Sequence, residues 1–399
     1  MSLYLEKSAT IDKKLNKVFN YSFSVGEKGI YVIAVVASAK SWFQNTRKFV
    51  SFFQDDDLAI RINGIRFPKL SGERGEFDGE ASWNGNKLKG LRQINFFIAY
   101  FDQGEQNLEF ISKTSPILET IEIYRVSNNQ ISVDPTKYGI EDGNRRPWLN
   151  LITLNVGITD LFVKATANLG KNEDDNDLQI RINGTREENV ASRAHRYWYW
   201  CGRVLRGQSK TLKKVLNLKR GIHYVEFWAD RIPVFNELNL RVTKSERIPS
   251  VDDPKWTDDF YDDSEEMILA RLIFGEARNQ SKEAKIWVAS TVLNRIEAKT
   301  WWGSTVHEVI LKDRQFESFD KDNPNRPIVE NPLYDSTQKQ SWRDSYEVAK
   351  RILSGDISIP SEATHFHDPR LPQEDFLKLI PNGKFLKKID NLFFYWSPR

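Results

Sequence analysis

Cys201 is the only cysteine among 399 residues, so the chain can form no internal disulfide and no metal cluster built on several thiolates. A single thiol inside an aromatic run offers no redox pair either. No stretch approaches the ~18 consecutive apolar residues of a membrane span. The opening residues, Met1-Ser-Leu-Tyr-Leu-Glu-Lys-Ser-Ala-Thr10, lack the continuous apolar core of a secretory signal. Neither sign of charge dominates, with 58 Lys and Arg against 55 Asp and Glu. Nucleic acid is therefore not an expected partner. These absences describe a soluble chain with no transmembrane segment and no recognisable signal peptide; its oligomeric state is left open.

Aromatic residues are abundant: 12 Trp, 13 Tyr and 24 Phe, a load that suits β-rich cores and flat surfaces for stacking on sugar rings. The length allows two or three domains. An internal repeat defines the first two. Asp57-Leu-Ala-Ile-Arg-Ile-Asn-Gly64 recurs as Asp177-Leu-Gln-Ile-Arg-Ile-Asn-Gly184. Trp83-Asn-Gly-Asn-Lys-Leu-Lys-Gly90 recurs as Trp200-Cys-Gly-Arg-Val-Leu-Arg-Gly207, and Gly104-Glu-Gln-Asn-Leu-Glu-Phe110 as Gly221-Ile-His-Tyr-Val-Glu-Phe227. Leu58, Ile60 and Ile62 alternate with Ala59, Arg61 and Asn63, the period of a strand with one buried face. Asn63-Gly64 and Asn183-Gly184 supply the left-handed residues of tight hairpins.

These features predict two β-sandwich modules at 1–128 and 148–243, similar in architecture to jelly-roll carbohydrate-binding modules. The stretch 129–147, rich in turn formers, reads as a linker. A second linker at 244–263 is acidic, carrying Asp252, Asp253, Asp258, Asp259, Asp262 and Asp263. A solvated spacer is the expectation there, with a calcium-binding loop as the unsupported alternative and no cofactor expected otherwise.

From Asp263, read as the N-cap of a helix with Glu266 completing a capping box, the hydrophobic period becomes 3.6. Leu269, Leu272, Ile273 and Glu276 share one helical face; Ala289, Val292, Leu293 and Ile296 share another. Ser304 is placed to cap a short helix running to Lys312. Trp342, Tyr346, Ala349 and Leu353 form a third stripe, ended by Gly355. Residues 264–399 are thus expected to form a mainly α catalytic domain. A carboxyl on an apolar face is desolvated and its pKa rises, which suits a general acid. The plainer reading pairs Glu276 with Arg271 or Arg278.

The order Phe274-Gly-Glu-Ala277, Val292-Leu-Asn-Arg295, Gln315-Phe316, Ala363-Thr-His-Phe-His367 and Phe393-Phe-Tyr395 resembles the SleB-type cell-wall hydrolases, the spore-cortex-lytic enzyme family. The resemblance spans about residues 264–396. It implies a lysozyme-like fold, a peptidoglycan or related glycan substrate, and Glu276 at the catalytic position. One buried acid with no obvious partner suits a lytic transglycosylase, since hydrolysing glycosidases usually need two carboxylates. The sequence departs from the family in reading Gln-Phe-Glu-Ser where relatives read Gln-Phe-Ser.

Further candidates line up around that acid. Gln315 and Phe316 suit an N-acetyl group and a sugar face, or simply anchor a loop. Trp301 and Trp302 are read as a core plug or a cleft wall, and Tyr395 as a hydroxyl directed to the cleft. His365 and His367 suit groove-lining hydrogen bonds. With Glu276 or His307 they would also make a zinc site, and hence a metal-dependent amidase. In the second module, Tyr197 and Tyr199 are expected on the solvent face of a strand as a sugar-stacking platform, with Trp198 and Trp200 buried. A non-catalytic surface or particle-binding protein is the other alternative. Peptidoglycan would be reached after lysis, by non-classical export, or on a phage particle.

Overall fold

The computed structural model describes residues 3–46, 54–71, 76–170, 174–245, 249–298, 300–303, 305–380 and 382–398. The chain divides into two compact units, Met1–Glu246 and Arg247–Arg399. No described helix is long and apolar enough to cross a membrane.

The first unit is β-rich. Its main sheet has eight strands, and the two repeats contribute half each. The join is parallel: Leu149–Leu154 of the second copy pairs with Ile94–Ala99 of the first. On the first copy's side lie Leu3–Lys14, Ile117–Val126, Gly29–Ser38 and Arg92–Phe101. On the second copy's side lie Arg146–Leu154, Tyr224–Asp230, Asp177–Ile182 and Thr185–Arg186. Each copy adds a further sheet, built on Phe19–Val25, Gly104–Lys113 and Asp57–Ile62 in the first, and on Val234–Thr243, Val156–Thr166 and Ser209–Gly221 in the second.

Two cores result, one against each face of the shared sheet. Val32, Ala34, Ile94 and Phe96 face one, together with Val163 and Leu240 of the second copy. Tyr31, Ile33, Val35 and Phe97 face the other, together with Leu108 and Phe110 of the first copy. That is why Gly29–Ser38 is apolar at nearly every position: both of its faces are buried. The expected hairpins are present, with Asn63, Gly64, Asn183 and Gly184 all at positive φ.

Both linker expectations need correction. Residues 129–147 are woven into the fold, since Gln130–Val133 pairs with Leu238–Arg241 and Arg146 begins a strand of the main sheet. The acidic stretch 244–263 ends inside the second unit, where Asp262 and Asp263 are buried. Burial is possible because Arg271, itself buried, binds the Asp263 carboxylate through Nε at 2.6 Å and Nη2 at 3.1 Å.

The second unit is mainly helical. Ser264, and not Asp263, caps helix Glu265–Ala277, its side chain accepting from the Met267 N–H at 3.2 Å. Only Glu265, Glu266 and Glu276 of this helix escape burial, so it is a central helix and not one with a single apolar stripe. Helices Lys282–Glu297 and Lys339–Leu353 pack around it, with Trp342 in the shared core. Ser304 lies outside the described residues; Thr305 caps the short helix Val306–Ile310. A three-stranded antiparallel sheet of His365–His367, Leu392–Trp396 and Lys384–Ile389 completes the unit, with Leu392–Trp396 central.

Candidate active site

Glu276 stands in the last turn of the buried helix, where the chain leaves the core. Its Oε1 accepts two hydrogen bonds from Ser318, from the hydroxyl at 2.7 Å and the backbone N–H at 3.2 Å. No hydrogen bond to Oε2 occurs among the described residues. Burial raises the pKa of the carboxyl; the Ser318 bonds oppose the rise, and the nearby charges of Glu317 and Asp368 add to it. Neither suggested arginine neutralises Glu276. Arg271 is committed to Asp263, and Arg278 reaches the Gly275 carbonyl and Asn325.

Ser318 sits in the turn Glu317–Phe319, and Gly275 lets that turn come close. A Cβ on Gly275 would lie 2.7 Å from both Ser318 Oγ and Val329 Cγ1, closer than packing allows. Sequence reasoning missed Ser318. Its signal was the departure from the family's Gln-Phe-Ser, in which the displaced serine is the residue that meets the acid.

Arg295 organises the neighbouring wall. It is buried, and its Nε donates to the Thr364 carbonyl at 2.7 Å. Asn294 donates to the carbonyls of Ser361 and Ala363, each at 2.8 Å. Together the two residues fix the strand bearing the histidines. Gln315 is half-buried, its Oε1 3.4 Å from Arg295 Nη1, and Phe316 is buried beneath the same guanidinium. Phe316 therefore serves as a loop anchor and presents no open stacking face.

The two histidines differ. His365 bonds Thr364 Oγ1 at 3.0 Å beside Trp302, and burial with the charge of Arg295 pushes its pKa down to about 4. It is a neutral imidazole at ordinary pH. His367 places Nε2 3.0 Å from the Tyr395 hydroxyl and Nδ1 2.6 Å from the Asp368 carbonyl. His307 lies elsewhere, with Nε2 3.0 Å from the Asp263 carbonyl. Among the described residues these histidines and Glu276 do not gather into a metal-binding group.

Tyr395, expected to direct its hydroxyl to the cleft, is fully buried with that hydroxyl turned to His367. Trp302 is buried and fills the core, while Trp301 is 53% exposed. Asp368 was not foreseen. Arg370 holds it, with Nε 2.7 Å from its carboxylate, and keeps its pKa below the usual range.

The sequence of this unit matches the family model described as Cell Wall Hydrolase over residues 279–395. Residues 279–395 form a domain similar to the cell wall hydrolases. The match begins just past Glu276, at the start of the helix that carries Asn294 and Arg295. No curated protein matches the chain. Among solved structures, the catalytic domain of the Bacillus cereus SleB protein is 19% identical, covering 33% of this chain and 88% of that one at a TM-score of 0.23. The catalytic domain of the germination-specific lytic transglycosylase SleB from Bacillus anthracis is 20% identical, covering 33% and 92% at a TM-score of 0.23. A CBM22 tandem from Paenibacillus barcinonensis Xyn10C is 10% identical, covering 61% and 98% at a TM-score of 0.19. Likenesses this weak carry no argument, and the assignment rests on the sequence match.

In the β unit, Tyr197 is 45% exposed and Trp200 is buried. The segment is a turn and not a strand, closed by Trp198 N–H to the His195 carbonyl at 3.0 Å, so strict alternation fails. Trp198 is half-exposed. Tyr199 packs edge-on against Trp200 beneath the Lys210 ammonium, 3.7 Å from its ring centroid. Tyr197 instead has the guanidinium of Arg186 5.0 Å from its ring centroid.

Proposed function

We propose that the hydrolase domain cleaves the glycan strands of peptidoglycan as a lytic transglycosylase, with Glu276 as general acid and then base. The observation that carries this reading is the state of one carboxyl: half-buried, desolvated and raised in pKa, anchored through Oε1, and with no hydrogen bond to Oε2 among the described residues. The protonated acid gives its proton to the glycosidic oxygen as the bond to the anomeric carbon breaks. The resulting carboxylate takes the proton of the muramic acid 6-hydroxyl, whose oxygen closes on the anomeric carbon as an anhydro ring. The first step uses one carboxyl and the second returns it to its starting state.

A muramidase is the second reading, and Asp368 favours it. An ionised carboxylate near one of raised pKa is the pattern of a glycosidase pair, in which water replaces the 6-hydroxyl. The repeat unit would then hold the enzyme on a glycan or cell surface, with Tyr197 as an exposed contact. Mass spectrometry of purified sacculi digested by the full chain separates the outcomes. Anhydro ends support the transglycosylase and reducing ends the muramidase. Free stem peptides with intact glycan would overturn both in favour of an amidase.

A further inference from the structure

The two copies of the repeat differ at one buried corner. In the first copy Asn84 caps the short turn of helix Gly85–Leu88, accepting from Lys87 N–H and donating to Asp57, each at 3.1 Å. In the second copy the same place before Gly202–Leu205 is held by Cys201, whose side chain makes no cap hydrogen bond. The second copy thus gives up a favoured cap residue for a poor one. The aspartate that meets this turn is retained as Asp177, its Oδ1 accepting from Gly202 N–H at 2.7 Å as Asp57 does from Gly85 N–H at 3.1 Å.

What the second copy gains is a set of donors. Ligand atoms of Asp175, His195 and Cys201 all lie within 4.8 Å of one another. Cys201 is fully buried and Asp175 is 6% exposed. Asp175 Oδ1 is a buried oxygen with no hydrogen-bond partner among the described residues, while Oδ2 is held by Arg203 Nε at 3.2 Å. A buried carboxylate oxygen left unpaired is costly unless a cation or donor meets it.

We propose that Asp175, His195 and Cys201 form a zinc(II) site that pins the turn carrying Tyr197 to the edge of the main sheet. The donor set is one thiolate, one imidazole and one carboxylate, which suits zinc and not the all-oxygen shells of calcium or magnesium. Bonds of about 2.0–2.3 Å at tetrahedral angles put ligand atoms roughly 3.5 Å apart, so the three, all within 4.8 Å of one another, need to close by no more than about 1.3 Å. His195 is able to supply that movement, because it lies on a turn and not in a strand. Arg203 holds the other carboxylate oxygen, Oδ2, the kind of support that ligating carboxylates receive. The fourth position is left to solvent.

Cobalt(II) added to the metal-stripped full chain tests this. Only one sulfur is available from cysteine, so a thiolate-to-cobalt absorption band reports Cys201 alone. The expected result is one equivalent bound with that band, displaced by zinc, and a melting temperature of the β unit that zinc raises. Cys201→Asn installs the residue of the first copy, so it should fold, lose the band and lose the zinc-dependent rise. His195→Ala, in an exposed turn, should weaken cobalt at least tenfold. A wild-type chain with no thiolate band at saturating cobalt overturns the proposal, as does a His195→Ala chain that binds as tightly as wild type.

Discussion

Ser318 donates twice to the same oxygen of Glu276, from its hydroxyl at 2.7 Å and from its backbone N–H at 3.2 Å. Two donors on one oxygen fix the carboxyl plane and assign the acidic proton to the other oxygen. Those bonds favour the anion, yet burial prevails and the pKa is raised. The arrangement aims the proton without giving it up.

Glu276→Gln keeps the shape and can still accept from Ser318, but it carries no transferable proton. Sacculus cleavage should fall by at least ~10²-fold with the fold intact. Stability should move the other way. The folded pKa of Glu276 is above the unfolded value, so its contribution is fully present below the unfolded pKa and is lost as pH rises through the folded one. Glu276→Gln should therefore melt higher than wild type at neutral or alkaline pH, with the difference vanishing in acid. A near wild-type cleavage rate would remove Glu276 from the mechanism.

Ser318→Ala removes the hydroxyl and keeps the N–H. The carboxyl loses a bond that favours its anion, so the alkaline limb of the pH–rate profile should shift to higher pH. The rate should fall less than in Glu276→Gln. Gly275→Ala attacks the same contact from the helix side, because its Cβ would sit 2.7 Å from Ser318 Oγ. Overpacking of about 1–3 kcal/mol should outweigh the ~1 kcal/mol helix preference for Ala, lowering both activity and denaturation midpoint.

What could be read from the sequence was local. Asn63-Gly64 announces its hairpin because two adjacent residues settle the turn, and the helices announce themselves by period and caps. The shared sheet could not be read so directly, since parallel pairing of Ile94–Ala99 with Leu149–Leu154 is a choice between distant strands. Its trace was the unbroken apolar run from Ile30 to Ala37. The position of Glu276 as a candidate acid was legible, whereas its partner was not. Ser318 meets it only through the turn Glu317–Phe319 and the space left by Gly275. Tyr197 and Trp198 were misassigned as strand residues because four aromatics in a row imitate alternation, while the backbone turns at His195.

Asp263 and Arg271 form a buried pair, with the guanidinium also donating to the Val329 carbonyl at 2.5 Å and the Pro254 carbonyl at 2.6 Å. Removing one partner strands the other charge away from water. Asp263→Asn should destabilise the hydrolase unit by about 3–5 kcal/mol in urea denaturation. Adding Arg271→Met to it should recover part of that loss, since no lone charge is then buried. If Asp263→Asn unfolds at the wild-type midpoint, the pair is not holding the acidic segment to the domain.

The last prediction concerns Tyr197, the one ring of the pair expected to meet sugar that is still exposed. A sugar face stacks on an aromatic plane, and Tyr197 is exposed at the surface with the Arg186 guanidinium over its ring. Tyr199 is different: it packs on Trp200 and under Lys210, so replacing it disturbs the module's own core. The two single variants should therefore separate. In the full chain with Glu276→Gln to prevent cleavage, Tyr197→Ala should weaken sacculus pull-down with no change in melting temperature. Tyr199→Ala should lower the melting temperature of the β unit, and any loss of pull-down should follow that loss of stability. Unchanged pull-down by Tyr197→Ala would end the idea of a stacking contact there, and a stable, weakly binding Tyr199→Ala would mean the half-buried ring is the one that meets the ligand.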